Sequence, residues 1–325
     1  MIPIRDTHPT RNRPVVNNLL IAANAVVFLI QLSQGADGRI FVYLYGLVPA
    51  RYSVPQIAEY FSAWQQIFSF LSFMFLHGGF LHLLGNMWFL YIFGDNVEDR
   101  LGPVRYLAFY LLCGLASGVS HLLLNFQSNV PTIGASGAIA GVMGAYFLLH
   151  PKARILTLIP ILFIPYFVEI PAFVFLGIWF LFQFLNAAGS GGAAGGVAWW
   201  AHIGGFVFGM IFLKVFERMP TTGITHKIRP MTERKKTHRL QVIHPSGPGD
   251  DPNLYGTIRI SPYEAAAGAR KTVNIPWGFH KRLYQLRIPP GINPGAQLRL
   301  EGLGKSLADG RRGDLFLKVE IDKRS

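Results

Sequence analysis

Ser136 stands in the run Gly134-Ala135-Ser136-Gly137, at the head of an apolar, small-residue segment with no charge before Lys152. A serine hydroxyl is a poor nucleophile until an adjacent base takes its proton. The candidate base is His202, in Ala201-His202-Ile203-Gly204-Gly205 near the start of another apolar segment. A third segment carries His82 and Asn86, one helical turn apart and therefore on one face. Both side chains can donate hydrogen bonds, and with the Ser136 backbone N–H they suit a developing oxyanion. Nucleophile, base and oxyanion donors describe acyl transfer. No Asp or Glu lies near the outer ends of these three segments, so the pattern fits a Ser–His dyad rather than a three-member triad.

These residues need helices in a membrane to position them. Of the 325 residues, 51% are hydrophobic, and the mean hydropathy is positive at +0.33. Six apolar spans are predicted, at about 17–32, 78–95, 104–125, 135–150, 169–187 and 197–216. The first and fourth are short and call for a locally thin bilayer or little tilt. Residues 19–32 follow Arg5, Arg11 and Arg13 like a signal-peptide core. A retained first helix is expected instead, because no small-x-small cleavage site precedes Asp37.

Basic residues set the orientation. Arg5, Arg11 and Arg13 precede span one, Arg100 and Arg105 follow span two, Lys152 and Arg154 follow span four, and Lys214, Arg218 and Lys227 follow span six. The loops 126–134 and 188–196 carry no charge. Both termini are therefore expected in the cytoplasm, in a cell (plasma or inner) membrane. The long loop 33–67 then lies outside. It is rich in aromatics suited to the interface, with Arg39 and Arg51 as mild exceptions to the charge rule. Residues 155–168 are apolar but short and hold Pro160 and Pro165, so they are read as a buried or interfacial connector. Counting them as a span would put Ser136 and His202 on opposite sides.

With six spans, spans two, four and six run in the same direction and bring Ser136, His202, His82 and Asn86 to similar depth. Polar groups in hydrocarbon are costly and face a bundle interior or a water-filled cavity. Ala140 and Gly144 below Ser136, and Gly205 and Gly209 below His202, let helix backbones approach.

The net charge of +13 suits contact with an anionic leaflet. No basic-aromatic motif accompanies it, so nucleic acid is not an expected partner. The single cysteine, Cys113, gives neither a disulfide framework nor a metal cluster, and no cofactor is expected. The His-Glu-x-x-His of a metalloprotease is absent, and Asp95, at a cytoplasmic end, is no aspartyl pair. A transporter is the remaining use of a polar membrane cavity.

Gly134-Ala135-Ser136-Gly137, His82-x-x-x-Asn86 and Ala201-His202-x-x-Gly205, in these spans, resemble the rhomboid family of intramembrane serine proteases over roughly residues 15–216. The resemblance implies Ser136 as nucleophile, His202 as general base, and His82 and Asn86 as oxyanion-hole side chains. It also implies transmembrane protein substrates, cut near the outer end of their spans. Inactive relatives lose the serine or the histidine, and this chain keeps both. His77 and Val97-Glu98-Asp99-Arg100-Leu101-Gly102 match structural positions of the family. One position departs: where many members have an aromatic that stacks on the histidine, four residues after the serine, this chain has Ala140.

After Phe216 the composition shifts. Residues 219–250 read as a basic juxtamembrane linker, and 251–325 as a small, mostly-β cytoplasmic domain. Short strands are predicted at 256–260, 271–275, 283–288, 297–300 and 314–321, between Pro- and Gly-rich turns. Ser261-Pro262-Tyr263-Glu264-Ala265-Ala266, Lys271-Thr272-Val273, Ile288-Pro289-Pro290-Gly291 and Gly313-Asp314-Leu315 resemble the C-terminal, peptide-binding β-domain of DnaJ-type cochaperones. That resemblance implies a β-sandwich with a peptide or unfolded protein as ligand. His8-Pro9-Thr10 and His244-Pro245-Ser246 only partly match the His-Pro-Asp signature of a J-domain. The expected architecture is an all-α polytopic membrane bundle over 1–218, this linker, and the β-domain. The alternative is a non-catalytic quality-control module that binds transmembrane helices.

Overall fold

The computed structural model describes residues 1–161, 164–189, 198–220, 232, 241–243, 245–248, 251–275, 283–306 and 312–322. The chain divides into two compact units, Met1–Arg234 and Lys235–Ser325. The linker expected over 219–250 lies mostly outside the described residues, as does most of the uncharged loop 188–196.

In the first unit β1 (Ile2–Asp6) leads into α1 (Val15–Ser33). Three short helices, α2 (Gly38–Tyr45), α3 (Pro55–Ala58) and α4 (Ala63–Ser72), occupy the long loop. They are followed by α5 (Phe80–Leu101), α6 (Pro103–Leu124) and α7 (Ser136–Leu149). A hairpin of β2 (Arg154–Ile161) and β3 (Ile164–Pro171) then precedes α8 (Ala172–Gly189) and α9 (Trp199–Arg218).

Helices α1, α6, α8 and α9 are long and apolar enough to cross a membrane. A fifth candidate is the pair Ala63–Phe75 and Phe80–Leu101, which meets at a bend of 77°. The six expected spans coincide with α1, α5, α6, α7, α8 and α9, yet length and composition support only four or five of them. Helix α5 qualifies only within the bent pair, and α7 falls short because its 14 residues rise about 21 Å at 1.5 Å each, less than a hydrocarbon core of about 30 Å. Every residue from Gly137 to Tyr146 is buried. A helix apolar on all sides belongs at the centre of a bundle, and α7 packs against α5, α6 and α9.

The approach of α7 to α9 is set by glycine. A Cβ on Gly205 would collide with the carbonyl oxygen of Gly137, one on Gly209 with the backbone of Gly141, and one on Gly144 with the carbonyl of Phe206. The face that the sequence assigns to Ala140 and Gly144 thus runs through Gly137 and Gly141 as well. Ala140 abuts Gly205, at 3.3 Å from where a Cβ would stand.

The apolar stretch 155–168 is an antiparallel hairpin, paired from Arg154↔Pro171 to Ile161↔Ile164, with β1 added along β2. Its β-branched residues and two prolines favour extended backbone over a helix. Because the hairpin returns, the Ala172 N–H donates to the Ala153 carbonyl at 2.8 Å. Helix α8 therefore begins where the chain left α7.

Two charged residues are buried in this unit, each with specific partners. Glu98 accepts the backbone N–H groups of Val16 at 3.0 Å and Asn17 at 2.8 Å. It caps α1 from another helix, where Pro14 at the N-cap position supplies no side-chain cap. Arg51 is only 1% exposed, with its guanidinium 3.7 Å from the Phe61 ring centroid and Nη1 donating to the Leu44 carbonyl at 3.1 Å. Arg51 is a core group of the loop, so its charge says little about orientation.

The second unit has two three-stranded sheets. One has the order β4 (Gln241–Val242), β6 (Ala269–Asn274), β7 (Leu283–Ile288); the other β5 (Leu254–Ile260), β9 (Leu315–Ile321), β8 (Gln297–Leu300). Ile258, Val273, Leu286 and Leu317 share one apolar core with their neighbours. Gln241 and Val242 already pair with β6, ahead of Asp251. The Ser261–Glu264 motif is a capping box on α10 (Pro262–Ala267), with Lys271 Nζ 3.0 Å from the Glu264 carboxylate.

Candidate active site

Ser136 is the first residue of α7. Its backbone N–H is therefore one of those a helix leaves without an internal acceptor, at the positive end of the helix dipole. Gly137 is required beside it, because a Cβ there would collide with the hydroxyl of Ser117 on α6.

His202 lies in the first turn of α9, and its Nε2 is 2.7 Å from Ser136 Oγ. Its other ring nitrogen, Nδ1, is 2.7 Å from Oε1 of Gln183 on α8. Where the family pattern has an aromatic at position 140, Ala140 is fully buried. Aromatic neighbours come instead from Trp179, with ring centroids 6.1 Å apart, and Trp199, edge-on at 6.3 Å.

His82 and Asn86 face the same place from α5. The Gly78 N–H donates to His82 Nδ1 at 3.1 Å, which leaves Nε2 of the neutral ring as the protonated, donating nitrogen. The ring lies against Gly134, whose φ of +126° suits glycine and whose Cβ would stand 3.0 Å from His82 Nε2. Asn86 Nδ2 is buried without a hydrogen-bond partner. Buried donors are almost always paired in native proteins, so an unpaired one in a cavity is poised for a ligand. Ser136, His202, His82 and Asn86 all line one cavity of about 510 Å³, with Ser117, His121, Trp179 and Gln183.

His77 is adjacent but structural. Its backbone is clamped by the Gln31 side chain, which accepts the His77 N–H at 3.1 Å and donates to its carbonyl at 2.6 Å. Among the described residues, no group of three or more His, Cys, Asp or Glu side chains is arranged to hold a metal ion.

The arrangement has the parts of a serine acyl-transfer site. Residues 64–218 match the Rhomboid domain family model. This segment is rhomboid-like. Residues 237–323 match the DnaJ C terminal domain. Relatives of the rhomboid region include RHOMBOID-like protein 5 of Arabidopsis thaliana, 40% identical over 23% of this chain and 24% of the relative. Rhomboid protein 1, mitochondrial, of Saccharomyces cerevisiae is 31% identical over 42% of this chain and 38% of its own length. Presenilin-associated rhomboid-like protein A, mitochondrial, of Danio rerio is 28% identical over 54% and 43%. The chain spans less than half the length of each of these relatives. The rhomboid domain makes it a multi-pass membrane protein.

Sequence reasoning missed Gln183, Ser117 and His121 in the cavity. Gln183 carried a usable signal. It is the one polar side chain in the run Phe173–Leu185, and a polar group inside a span is costly enough to need a reason.

Proposed function

We propose that this protein is an intramembrane serine endopeptidase that cleaves transmembrane segments of other membrane proteins. The observation that carries the reading is the 2.7 Å approach of His202 Nε2 to Ser136 Oγ between two helices. In the proposed cycle Ser136 Oγ attacks the scissile carbonyl carbon while its proton passes to His202 Nε2. The oxyanion is held by His82 Nε2–H, Asn86 Nδ2–H and the Ser136 backbone N–H. The tetrahedral intermediate collapses, the C–N bond breaks, and the leaving amine takes the proton from His202. Water, deprotonated by the same imidazole, then hydrolyses the acyl-enzyme and regenerates Ser136.

Six spans are the topology in which this works, with α5, α7 and α9 running in one direction from the outer face. The hairpin between α7 and α8 supports that parity. We place the chain in a cell membrane with both termini cytoplasmic, from the basic residues after α5, α7 and α9. Two of the relatives are named mitochondrial, and imaging of the tagged full chain decides between these membranes. Cys113 is the sole cysteine and is buried. Single introduced cysteines can therefore map the topology with impermeant thiol reagents.

For the second unit we propose capture of a peptide segment, either a cytoplasmic tail of a substrate or an unfolded partner, supported by its match to the DnaJ C terminal domain. Deleting 240–325 should slow cleavage of natural substrates and spare a generic single-span substrate.

The deciding experiment reconstitutes the purified full chain in liposomes with a single-span substrate. Wild type should cleave it and Ser136→Ala should not, while His202→Ala loses on the order of 10²–10⁴ in rate. Binding without cleavage by wild type would favour the non-catalytic helix-binding module instead.

A further inference from the structure

Gln183 lies on α8, the helix between those that carry the dyad, and it meets the histidine at hydrogen-bond distance. Its Oε1 is 2.7 Å from His202 Nδ1, while Nε2 of the same ring is 2.7 Å from Ser136 Oγ. The imidazole is thus pinned at both nitrogens. A carboxamide oxygen only accepts, so the Nδ1 facing it carries the proton, and a neutral ring protonated at Nδ1 has its lone pair on Nε2. That lone pair points at the hydroxyl whose proton must be removed.

We infer that Gln183 is the positioning residue of the site: its amide oxygen holds His202 in the one tautomer and ring orientation able to act as base toward Ser136. The catalytic consequence rests on the dyad reading above; the tautomer assignment does not.

Three further observations support the assignment. Gln183 is only 8% exposed, so its amide is largely withdrawn from bulk water. Trp179 precedes it by one helical turn and also reaches the His202 ring, at 6.1 Å between centroids, so one face of α8 is built against this histidine. Ala140, one turn after Ser136, brings no ring of its own to the histidine. An amide also orients the ring without placing a second charge in hydrocarbon, where a carboxylate would be expensive. During turnover the same oxygen accepts from the imidazolium Nδ1–H, a charge-assisted hydrogen bond stronger than the neutral one. Without it the Nε2-protonated tautomer competes, and the buried Nδ1–H of the imidazolium is left unsatisfied. The expected loss is about 10- to 100-fold in kcat.

The test uses the full chain in lipid nanodiscs and has two arms. In the first, the protein is labelled with ¹⁵N-histidine, and His202→Asn identifies the His202 signals among the ten histidines. At a pH where the ring is neutral, wild type should show a protonated Nδ1 and an unprotonated Nε2. Gln183→Met should show a mixture or the reverse. An Nε2-protonated wild-type ring, or an unchanged tautomer in Gln183→Met, overturns the inference.

The second arm measures cleavage. Gln183→Met should lower kcat by the factor above and leave KM unchanged. Gln183→Glu should restore much of the rate and move the acid limb of the pH–rate profile to higher pH, because a carboxylate at Nδ1 favours the charged ring. A merely structural glutamine would give no such displacement, and an unmoved profile in Gln183→Glu overturns the inference even where Gln183→Met fails to fold. If Ser136→Ala cleaves like wild type, the dyad reading falls and the tautomer arm still decides the role of Gln183. If Ser136→Ala is dead while Gln183→Met keeps both tautomer and kcat, Gln183 alone is misassigned.

Discussion

Gly205 and Gly137 meet backbone to backbone: a Cβ on Gly205 would collide with the carbonyl oxygen of Gly137, the residue next to Ser136. Gly205 follows His202 by less than one turn of α9, so the closeness of these two glycines sets the distance between the hydroxyl and the imidazole. Gly205→Ala should push α9 away from α7. Overpacking of this kind costs about 1–3 kcal/mol, and a displacement of about 1 Å at reacting groups costs on the order of 10²-fold in rate. Gly177 on α8 has nothing within 4 Å of its would-be Cβ, so Gly177→Ala is the matched control. Equal rates for the two variants in the liposome assay would sever the link between helix spacing and chemistry.

Asn86 offers a second test. Its Nδ2 is buried with no acceptor, which costs stability in the resting protein and is useful only when an oxyanion forms. Asn86→Ala should lower kcat by about 10²–10³ with little change in KM, and should leave thermal stability the same or higher. A variant that binds substrate poorly but turns over normally would assign Asn86 to binding rather than to the oxyanion.

Glu98 is testable without any substrate. Its carboxylate is the only side-chain cap seen on α1 among the described residues, with both oxygens on backbone N–H groups. Glu98→Ala should destabilise the first unit by about 1–2 kcal/mol, the usual worth of a lost cap. Glu98→Gln keeps one acceptor oxygen and should lose less. Thermal unfolding in detergent measures both; a Gln variant as destabilised as the Ala variant would show that charge, not an acceptor oxygen, is what α1 needs.

Much of this was legible in the sequence because membrane helices leave few choices. A serine and a histidine in apolar runs must face inward, and the small residues beneath them mark the contact, so the positions of α5, α7 and α9 followed. Gln183 escapes a reading that expects an acid on α5, α7 or α9 as third partner, because the structure brings a neutral amide from a fourth helix. Residues 155–168 were recognised as something other than a span, but their antiparallel pairing depends on β1 and a register that no local pattern shows. Arg51 reads in the sequence as a mild exception to the charge rule, because nothing in its neighbours reveals that the Phe61 ring covers it. In the second unit the predicted strands were found, starting or ending up to two residues away. The two-residue strand β4 was not predicted; it is too short for its own periodicity and exists only through pairing with β6.

The second unit supplies a pH prediction. Asp314 accepts the Gly302 backbone N–H at 2.9 Å and the Arg299 guanidinium at 2.6 Å. The backbone N–H first, and then the arginine, hold its carboxyl below the ordinary value of 3.8. A carboxylate whose folded pKa is depressed contributes stability that is present above the unfolded pKa and is lost as pH falls through the folded one. The stability gap between wild type and Asp314→Asn should therefore be full at pH 6, begin to narrow near pH 4, and close below that. Arg299 is exposed, so the gap should also shrink in high salt, which screens the arginine but not the backbone hydrogen bond. Paired thermal melts of the full chain and the Asp314→Asn variant across this range make the comparison. A gap that stays constant down to pH 3 would mean that Asp314 acts through shape and hydrogen-bond geometry common to aspartate and asparagine, and that the turn between β8 and β9 owes nothing to charge.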